Sequence, residues 1–353
     1  MNYRSKAVLR LNNVKKITDL WWKNIPYIQP YYAVKSFPNK ELIKFLYAEK
    51  FKFDCASKNE IKLVKSVCLS KLDDCDILFA NPAKSEIDIK YAKYKNVNMV
   101  VIDNIDEIKK ISSINKKAKY ILRVKGYETN SIIKFNNKFG ASSAEATDIL
   151  NYIQSNNLDF LGYSYHVGSQ CYNMESHRKT ITSLLDLIYY SNMLGLRTKT
   201  IDIGGGFDNV TQLKELNNIY NRHFRYILEK NEIRLIAEPG RIISAPSLDV
   251  IVKVIAINKK DDIYNITVND SVYHSFQGKI YDFQSFIPLP LYKGVNVMCN
   301  IFGQTCDSLD IICKEVIIPL PTIGDHILFE NMGAYSLASS NGKFNGFDSA
   351  IIE

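Results

Sequence analysis

The sequence predicts an α/β fold, a (β/α)8 barrel of the TIM type followed by a second, C-terminal antiparallel β domain. Eight short apolar segments, rich in β-branched and aromatic residues, alternate with stretches of helical periodicity. The last two of these segments end in glycine-rich turns. From about Ser247 the pattern changes to strands separated by turns, with little helix between them. We expect the barrel at 13–246 and the β domain at 1–12 plus 247–353.

Composition limits the class of protein. With 353 residues, 46% of them hydrophobic, the chain can bury a large core. The net charge of +8 comes from lysines spread along the chain rather than clustered, so no nucleic-acid partner is expected. The chain has no apolar run of about 18 residues and no signal peptide, which predicts no membrane partner. Seven cysteines without a CxxC pair fit a reducing cytoplasm, and no metal site is predicted.

A short strand and an amphipathic helix precede the expected barrel. The strand covers residues 6–11 and the helix Val14–Lys23, after which Pro26 and Pro30 break the chain. Because the first barrel strand begins only near Tyr31, the N-terminal strand is expected to join the β domain. The expected barrel strands are Tyr31–Lys35, Phe51–Ala56, Asp76–Asn81, Met99–Asp103, Tyr120–Lys125, Phe160–His166, Thr200–Gly204 and Leu235–Glu238.

The carboxyl ends of these strands carry side chains suited to catalysis. In a (β/α)8 barrel the active site lies at that face. One lysine at a strand end would be weak evidence, but a lysine, an arginine, a histidine and a glutamate together indicate a functional site. In strand order the end residues are Lys35, Asp54, Asn81, Asp103, Arg123, His166, Gly204 and Glu238.

Two glycine turns after the last two strands suit a phosphate group. The triple glycine at 204–206 leaves backbone N–H groups uncovered, and Gly240-Arg241 adds a second turn with a positive charge. A lysine at a strand end can form an imine with a carbonyl cofactor. Together these features suggest pyridoxal 5′-phosphate (PLP), with Glu238 beside its ring nitrogen, His166 on its face and Arg123 in support. On the pattern alone, an ordinary sugar-phosphate site remains an alternative.

Further motifs run in order over nearly the whole chain. They are P-Y-Y-A-V-K (30–35), F-D-C-A-S-K-N-E-I (53–61), F-A-N-P-A-K (79–84), N-K-F-G-A (137–141), H-V-G-S (166–169), D-I-G-G-G-F (202–207), A-E-P-G-R (237–241), Y-D (281–282), T-C-D-S-L-D (305–310), G-A-Y (333–335) and F-N-G-F (344–347). In this set and order the chain resembles the fold-type III PLP-dependent decarboxylases of basic amino acids. The resemblance is greatest to the ornithine decarboxylases of eukaryotic and viral type.

The resemblance implies a role for each matched position of the barrel. Lys35 corresponds to the lysine that forms a Schiff base with PLP, His166 to the residue stacked on the ring, and Glu238 to the partner of the ring nitrogen. Tyr335 of the β domain is expected to complete the phosphate cradle. The implied cofactor-binding residues are Asp54, Glu60, Arg123, Ser169, Gly204, Gly205, Gly206, Gly240, Arg241 and Tyr335.

The resemblance also implies a homodimer with active sites shared across the interface. Cys306 corresponds to the acid that protonates the substrate carbon after CO2 has left, and it is expected to reach in from the other subunit with Asp307 beside it. Lys138 and Asp310 match an inter-subunit ion pair. Considered alone, Cys306 could be a small buried hydrophobe and Lys138 a solvated charge.

Two carboxylates are expected to determine the substrate specificity. The resemblance implies that Asp282 and Asp307, one from each subunit, bind its distal amine, with Tyr281 and Phe344 shaping the walls. The motifs around these residues resemble ornithine-type enzymes, which predicts decarboxylation of L-ornithine to putrescine. Since a methylene is worth only about 1–3 kcal/mol of discrimination, lysine stays open. Further alternatives are decarboxylation of arginine, carboxynorspermidine or another basic amino acid, racemisation of an amino acid, and a non-catalytic homologue that regulates polyamine synthesis.

Overall fold

The computed structural model describes residues 4–68, 77–129, 131–340 and 342–353. The chain divides into two compact units. One is Ile17–Ile242, and the other is Ile243–Glu353 together with the start of the chain up to Lys16. The sequence pattern placed the two boundaries at 13 and 246. Asp76, the first residue of the expected third barrel strand, lies outside the described residues.

The chain begins with strand β1 (Lys6–Leu9) and helix α1 (Leu11–Asn24). The strand is shorter and the helix longer than the sequence pattern predicted. Near the end of α1, the Trp21 ring meets the Phe207 ring edge-on at 5.8 Å between centroids and lies 6.1 Å from the Phe51 ring. Its indole N–H donates to the carbonyl of Ile28, 3.0 Å away. This packing anchors the helix to the first barrel strand.

Eight parallel strands form a closed barrel, which confirms the predicted fold class. The ring closes where Leu235 of the last strand is paired with Ile28 of the first. Two short strands, β7 and β9, form a separate antiparallel pair. In chain order the strands are β2 (Ile28–Ala33), β3 (Lys52–Cys55), β4 (Ile77–Phe79), β5 (Met99–Ile102), β6 (Lys119–Arg123), β7 (Ser131–Ile133), β8 (Asp159–Ser164), β9 (Ser169–Cys171), β10 (Thr200–Asp202) and β11 (Arg234–Ala237).

Helices fill the intervals between the barrel strands, as the periodicity predicted. Several begin at a polar N-cap residue, and Ser142 forms a capping box with Glu145. A π-helical segment, Tyr220–Phe224, joins two of them. The helices are α2 (Lys40–Ala48), α3 (Lys58–Cys68), α4 (Glu86–Tyr94), α5 (Ile105–Ile114), α6 (Ser143–Ser155), α7 (Glu175–Met193), α8 (Val210–Ile219), α9 (Arg225–Lys230) and α10 (Arg241–Ser244).

Apolar side chains from five of the strands fill the barrel interior. A buried cluster there comprises Tyr31, Leu78, Met99, Val101, Ile121 and Ile236. Several strands end earlier than the sequence predicted: Lys35 lies in the 3-10 turn Val34–Ser36, and His166 and Glu238 follow β8 and β11. The prediction that these three residues close their strands was wrong by one or two residues. In each case the backbone leaves the hydrogen-bonded ladder of the sheet before the residue in question. Its side chain can therefore turn toward the open end of the barrel.

The second unit contains one eight-stranded sheet in the order β14-β17-β12-β13-β15-β16, with β1 attached to β12 and β18 attached to β1. Strand β1 pairs antiparallel with β12, so the N-terminal strand does join this domain as predicted. The sheet is mostly antiparallel, with parallel pairs at β13–β15 and β1–β18. Its elements are β12 (Leu248–Lys260), β13 (Ile263–Val268), α11 (Gly278–Tyr281), β14 (Leu289–Pro290), β15 (Asn296–Phe302), β16 (Ile311–Pro319), β17 (His326–Phe329) and β18 (Ile351–Ile352).

The length and hydropathy of a helix decide whether it can cross a membrane. Among the described residues, none of the helices combines the length and the apolarity needed to cross a bilayer.

Candidate active site

A cavity of about 340 Å³ opens at the carboxyl ends of the barrel strands. This volume lies within the range of small-molecule sites. It brings together six of the eight strand-end residues that the sequence singled out, and Lys138 as well. The lining residues are Lys35, Asp54, Ala56, Ala80, Asn81, Pro82, Arg123, Phe135, Lys138, Phe139, His166 and Glu238.

Lys35 places an amine at the cavity with a buried counter-ion beneath it. Its Nζ lies 3.5 Å from Oδ2 of Asp54, and its side chain is 48% exposed whereas that of Asp54 is 1% exposed. Burial raises the pKa of Asp54, and the positive charges of Lys35 and then Arg123 oppose that rise. The amine is therefore accessible to a ligand while the carboxylate holds it in place.

Glu238, which lines the cavity, forms a pair of carboxyl groups with Asp202. The Glu238 backbone N–H donates to the carbonyl of Gly204 at 2.7 Å, and Oδ1 of Asp202 accepts from the N–H of Gly204 at 2.9 Å. Burial, then the neighbouring Asp202 and Asp54, raises the pKa of Glu238 well above its ordinary value. Burial likewise raises the pKa of Asp202, which is hydrogen-bonded to Glu238. A proton-bearing ring nitrogen beside Glu238 would relieve this crowding of negative charge.

His166 presents a neutral ring to the cavity. Its Nδ1 accepts from the backbone N–H of Gly168 at 3.0 Å, and Phe135 meets the ring edge-on at 4.7 Å. Burial lowers the pKa of His166 far below its usual range, and the charges of Arg123 and Lys35 lower it further. An uncharged, flat imidazole suits stacking on an aromatic cofactor. Sequence reasoning missed Phe135, which lies just before the N-K-F-G-A motif.

The triple glycine at 204–206 forms a turn that tolerates no side chain. Gly204 and Gly206 have φ of 67° and 98°, where glycine is favoured. A Cβ on Gly204 would lie 2.5 Å from the Tyr165 carbonyl oxygen, and one on Gly205 would lie 2.7 Å from that of Glu238. Within the described part of the chain, the N–H groups of Gly205 and Gly206 have no acceptor. Such a turn is a ready cradle for a phosphate.

Arg241 brings a positive charge to the same region. It is the first residue of α10, directly after buried Gly240. Its Nη2 lies 3.4 Å from Oγ of Ser169, and its Nε lies 3.2 Å from Oδ1 of Asp208. Gly168, the neighbour of Ser169, lies against Gly206, because its carbonyl oxygen would be 2.7 Å from a Cβ there. The charge and the hydroxyl therefore sit around the glycine turn.

Glu60 lies outside the cavity lining and holds the turn that follows Asp54. Its Oε2 accepts from the backbone N–H of Ala56, 2.7 Å away. Burial raises the pKa of Glu60 to about 7, although that hydrogen bond works in the opposite direction. The structure therefore gives Glu60 an indirect position, behind the residues that face a ligand.

The second unit gathers another group of predicted residues on the Cys306 loop, residues 303–310 between β15 and β16. Cys306 is exposed, and its backbone N–H donates to Oδ1 of Asn345 at 3.1 Å. Asp307 accepts from the Leu309 N–H at 2.9 Å and from the hydroxyl of Tyr273. These two hydrogen bonds lower the pKa of Asp307.

Tyr273 also ties Phe344 to this group, since the two rings stack at 4.1 Å. Sequence reasoning missed both Tyr273 and Asn345, although Asn345 belongs to the F-N-G-F motif. The structure thus joins Cys306, Asp307 and Phe344 through Tyr273, which lies in none of the motifs, and through Asn345, to which the sequence assigned no role.

Gln284 connects the segment of Tyr281 and Asp282 with that of Tyr335, because its Nε2 donates to Asp282 and also to the carbonyl of Ala334 at 2.8 Å. Tyr281 is exposed at the end of α11, and the next residue, Asp282, is buried and accepts from Nε2 of Gln284 at 2.5 Å. Tyr335 has a positive φ of 54° in the turn after β17. This φ is unusual for a bulky residue, and such conformations cluster at functional sites.

Asp310 lies at the base of the Cys306 loop. It is 1% exposed, and its carboxylate accepts three hydrogen bonds from uncharged donors of the same unit. Lys138 lines the barrel cavity, with its Nζ 5.0 Å from the centre of the Phe139 ring.

The fold and the site together define a class. The family model for the pyridoxal-binding domain of pyridoxal-dependent decarboxylases matches residues 11–245. The chain therefore belongs to the pyridoxal-dependent decarboxylases, and its cofactor is PLP.

Two curated proteins illustrate the relatives that this chain resembles in sequence. The chain is 33% identical to a probable ornithine decarboxylase of Dictyostelium discoideum, over 93% of this chain and 74% of the relative. It is also 33% identical to antizyme inhibitor 2 of Xenopus laevis, over 94% of this chain and 76% of that protein. Solved structures agree on the fold. The arginine decarboxylase of Paramecium bursaria Chlorella virus bound to agmatine has a TM-score of 0.93 at 28% identity, covering 99% of this chain and 95% of that one.

A second solved structure points to the same substrate class. The lysine/ornithine decarboxylase of Vibrio vulnificus complexed with cadaverine has a TM-score of 0.89 at 26% identity, covering 99% of this chain and 94% of that one. Ornithine, arginine and lysine, the substrates named for these enzymes, are all basic amino acids. Decarboxylation of a basic amino acid is therefore the function that the comparisons support.

Proposed function

We propose that this protein decarboxylates L-ornithine to putrescine and CO2. The observation that carries the proposal is the Cys306 loop, which presents an exposed thiol next to a carboxylate. Hydrogen bonds from Leu309 and Tyr273 hold Asp307 as an anion, because they lower its pKa. An anion beside a proton donor is what a substrate with a distal ammonium group needs.

The barrel cavity fits PLP. The glycine turn at 204–206, with Gly240, Arg241 and Ser169, would hold the phosphate. Glu238 would bind the ring nitrogen, and the neutral ring of His166 would stack on the cofactor. Lys35 would attach it covalently, with Asp54 and Arg123 around it and Glu60 behind the turn. Tyr335 would complete the phosphate site. When bound, PLP withdraws electrons from the α-carbon of the amino acid, so that its carboxylate can leave as CO2.

Each residue of the chain then has a defined task. Glu238 would keep a proton on the ring nitrogen, because the positive charge of that nitrogen would offset the burial and the negative neighbours, Asp202 and Asp54, that raise the pKa of Glu238. Cys306 would donate a proton from Sγ to the α-carbon after CO2 has left, which completes putrescine.

The substrate would be bound at its far end by two carboxylates. Asp282 and Asp307 would pair with the distal ammonium, while Tyr281 and Phe344 would line the walls. We further propose that the active unit is a homodimer, in which Cys306 and Asp307 of one subunit serve the barrel of the other. The exposure of Cys306, Tyr281 and Leu309 supports this arrangement, because a catalytic thiol and large apolar side chains would be covered on assembly.

A second substrate is favoured by the structural comparison. The Vibrio vulnificus enzyme is named for both lysine and ornithine. Lysine is longer than ornithine by one methylene. In a pocket fitted to ornithine this difference would weaken binding by only about 1–3 kcal/mol. The similarity to antizyme inhibitor 2 favours a third possibility, a homologue without activity. The presence of Lys35, Glu238 and the glycine turn argues for PLP binding and against that alternative.

We place the reaction in the cytoplasm. Cys55, Cys171, Cys299, Cys306 and Cys313 are free thiols, as a reducing compartment would keep them.

Release of CO2 from a panel of substrates tests the proposal. The panel comprises ornithine, lysine, arginine, diaminopimelate and carboxynorspermidine. We expect the highest kcat/KM with ornithine and a smaller value with lysine. A higher kcat/KM with any other member would assign a different substrate, and the absence of turnover with bound PLP would favour the regulatory homologue.

Subunit mixing tests the shared site. Lys35→Ala and Cys306→Ala variants should each be inactive, because each lacks one required group in every site. After exchange of subunits, half of the dimers are hybrids with one intact site, so about a quarter of the wild-type activity should return. No recovery after confirmed exchange would overturn the shared arrangement.

A further inference from the structure

A buried histidine of α7 contacts both segments that border the glycine turn at 204–206. His177 is 0% exposed, and its Nδ1 lies 3.0 Å from the hydroxyl oxygen of Tyr165, which follows β8. Burial lowers the pKa of His177 to about 3, so the ring is neutral at physiological pH. Within the part of the chain that the structure describes, its other nitrogen, Nε2, has no hydrogen-bond partner. Tyr165 therefore supplies the polar contact that compensates the burial of this ring.

The same ring packs on the residue that ends the glycine turn. The imidazole of His177 stacks on Phe207, with 5.6 Å between the ring centres and 3° between the planes. Phe207 follows Gly206 directly in the chain and is 1% exposed. The indole of Trp21 also meets the Phe207 ring, edge-on. The chain just after the turn is thus held by ring packing from two helices, α1 and α7.

Tyr165 belongs to the other segment that borders the turn. Its backbone N–H donates to the carbonyl of Asp202 at 3.0 Å, and its own carbonyl oxygen would lie 2.5 Å from a Cβ on Gly204. The next residue is His166, which lines the cavity, and the segment continues to Ser169. A shift of Tyr165 would therefore move the backbone against which the glycine turn packs.

We propose that His177 is a positioning residue for the cofactor phosphate, because it ties Tyr165 to Phe207 and so sets the spacing of the two segments that form the cradle. This inference rests on the proposed role of the glycine turn as the phosphate cradle. His177 is fully buried and lies outside the cavity lining, so it acts through its two neighbours. Such pre-organisation raises affinity, because PLP then does not have to order the cradle as it binds.

Titration of the cofactor-free protein with PLP tests this role. Tyr165→Phe and His177→Phe each keep an aromatic ring, but each leaves one polar group of the pair buried without its partner. The segment then relaxes and PLP must restore it, so the dissociation constant for PLP should rise about fivefold or more in both variants. The phosphorus NMR resonance of the bound cofactor should shift as well, since it reports the surroundings of the phosphate.

Tyr163→Phe is a matched control from the same strand and the same helix. Tyr163 is buried in β8, and its hydroxyl donates to the carbonyl of Leu187 in α7 at 2.7 Å. Leu187 lies about 15 Å further along α7 than His177. The control should therefore lose thermal stability and keep the wild-type PLP affinity and phosphorus resonance. If Tyr165→Phe and His177→Phe behave like Tyr163→Phe, the contact only stabilises the fold and the positioning role is overturned.

The double variant Tyr165→Phe/His177→Phe measures whether the two residues act as a pair. It removes both polar groups and keeps both rings, so its PLP affinity should lie closer to the wild type than that of either single variant. If the two single effects on PLP affinity simply add, the residues act independently, which would contradict the proposal.

Gly205→Ala, measured alongside, separates this inference from the assignment of the cradle itself, because its methyl group would lie inside the turn. Wild-type PLP affinity in Gly205→Ala would remove the phosphate cradle, and the role of His177 with it. Weaker binding in Gly205→Ala combined with wild-type affinity in His177→Phe would leave the cradle in place and refute the role of His177 alone. These measurements do not depend on which amino acid is decarboxylated.

Discussion

Replacing Gly205 by alanine places one methyl group inside the turn that we assign to the cofactor phosphate. The new Cβ would lie 2.7 Å from the carbonyl oxygen of Glu238 and 3.3 Å from Nε2 of His166. The φ of Gly205 lies outside the left-handed region, so alanine carries no backbone penalty there. The perturbation is therefore steric, and it acts on the turn and on Glu238 together.

The size of the effect depends on which atom the new methyl group contacts. A flexible side chain could move aside, but the carbonyl of Glu238 belongs to the chain directly after β11, and the N–H of the same residue is bonded to Gly204. Relieving the contact must shift the turn or Glu238 by several tenths of an ångström. Overpacking of this kind costs about 1–3 kcal/mol. If the cost falls on the bound conformation, PLP should bind about 5- to 150-fold more weakly.

Titration of the cofactor-free protein with PLP measures this effect directly. Gly195→Ala serves as the control, because a Cβ there has no neighbour within 4 Å although its φ of 77° is strained for alanine. That variant should lose some thermal stability and keep its PLP affinity. Wild-type PLP affinity in Gly205→Ala, measured against this control, would refute the assignment of the turn as the phosphate cradle.

Two further predictions concern charge. Asp307→Asn should raise KM for ornithine about 10- to 100-fold with a smaller change in kcat, because it removes a charged acceptor for the substrate amine. Steady-state kinetics measure both constants, and an unchanged KM would contradict the prediction. Burial lowers the pKa of Lys84 to about 8, against an ordinary value of 10.5, so in that window the unfolded chain binds the extra proton. The free energy of unfolding of the wild type should therefore rise relative to Lys84→Met between about pH 8 and about pH 10 in urea titrations, and a constant difference would be inconsistent with a lowered pKa of the buried Lys84.

The barrel and its catalytic face were predictable because they depend on local patterns. A strand that ends in a polar residue can be recognised from a few neighbours, so Lys35, Asp54, Arg123, His166 and Glu238 were found without knowledge of the fold. Their convergence on one cavity follows from the parallel arrangement of the strands. The error of one or two residues at the strand ends arose because the sequence does not show where the backbone leaves the ladder.

The rest of the site depends on contacts between distant segments. Tyr273 meets Asp307 across 34 residues, and Asn345 meets Cys306 across 39. No spacing rule connects such pairs. Asp202 escaped notice because it ends an apolar run ahead of the glycines, where its carboxyl group looks like part of the turn. The carboxylate of Asp310 likewise accepts from the backbone N–H of Val272, 38 residues away.

The pairing of β1 with β12 has a consequence for how the chain is made. Lys6 is partnered with Ile251, and the parallel partner of β1 is Ile351–Ile352. On the ribosome, β1 emerges first but must wait for more than two hundred residues before its neighbour exists, which at about 5–20 residues per second takes on the order of tens of seconds. All eight barrel strands are complete before that moment. The nascent chain can thus close its barrel while the first strand is still unpaired, and the sheet that carries Cys306 is the last part to be assembled.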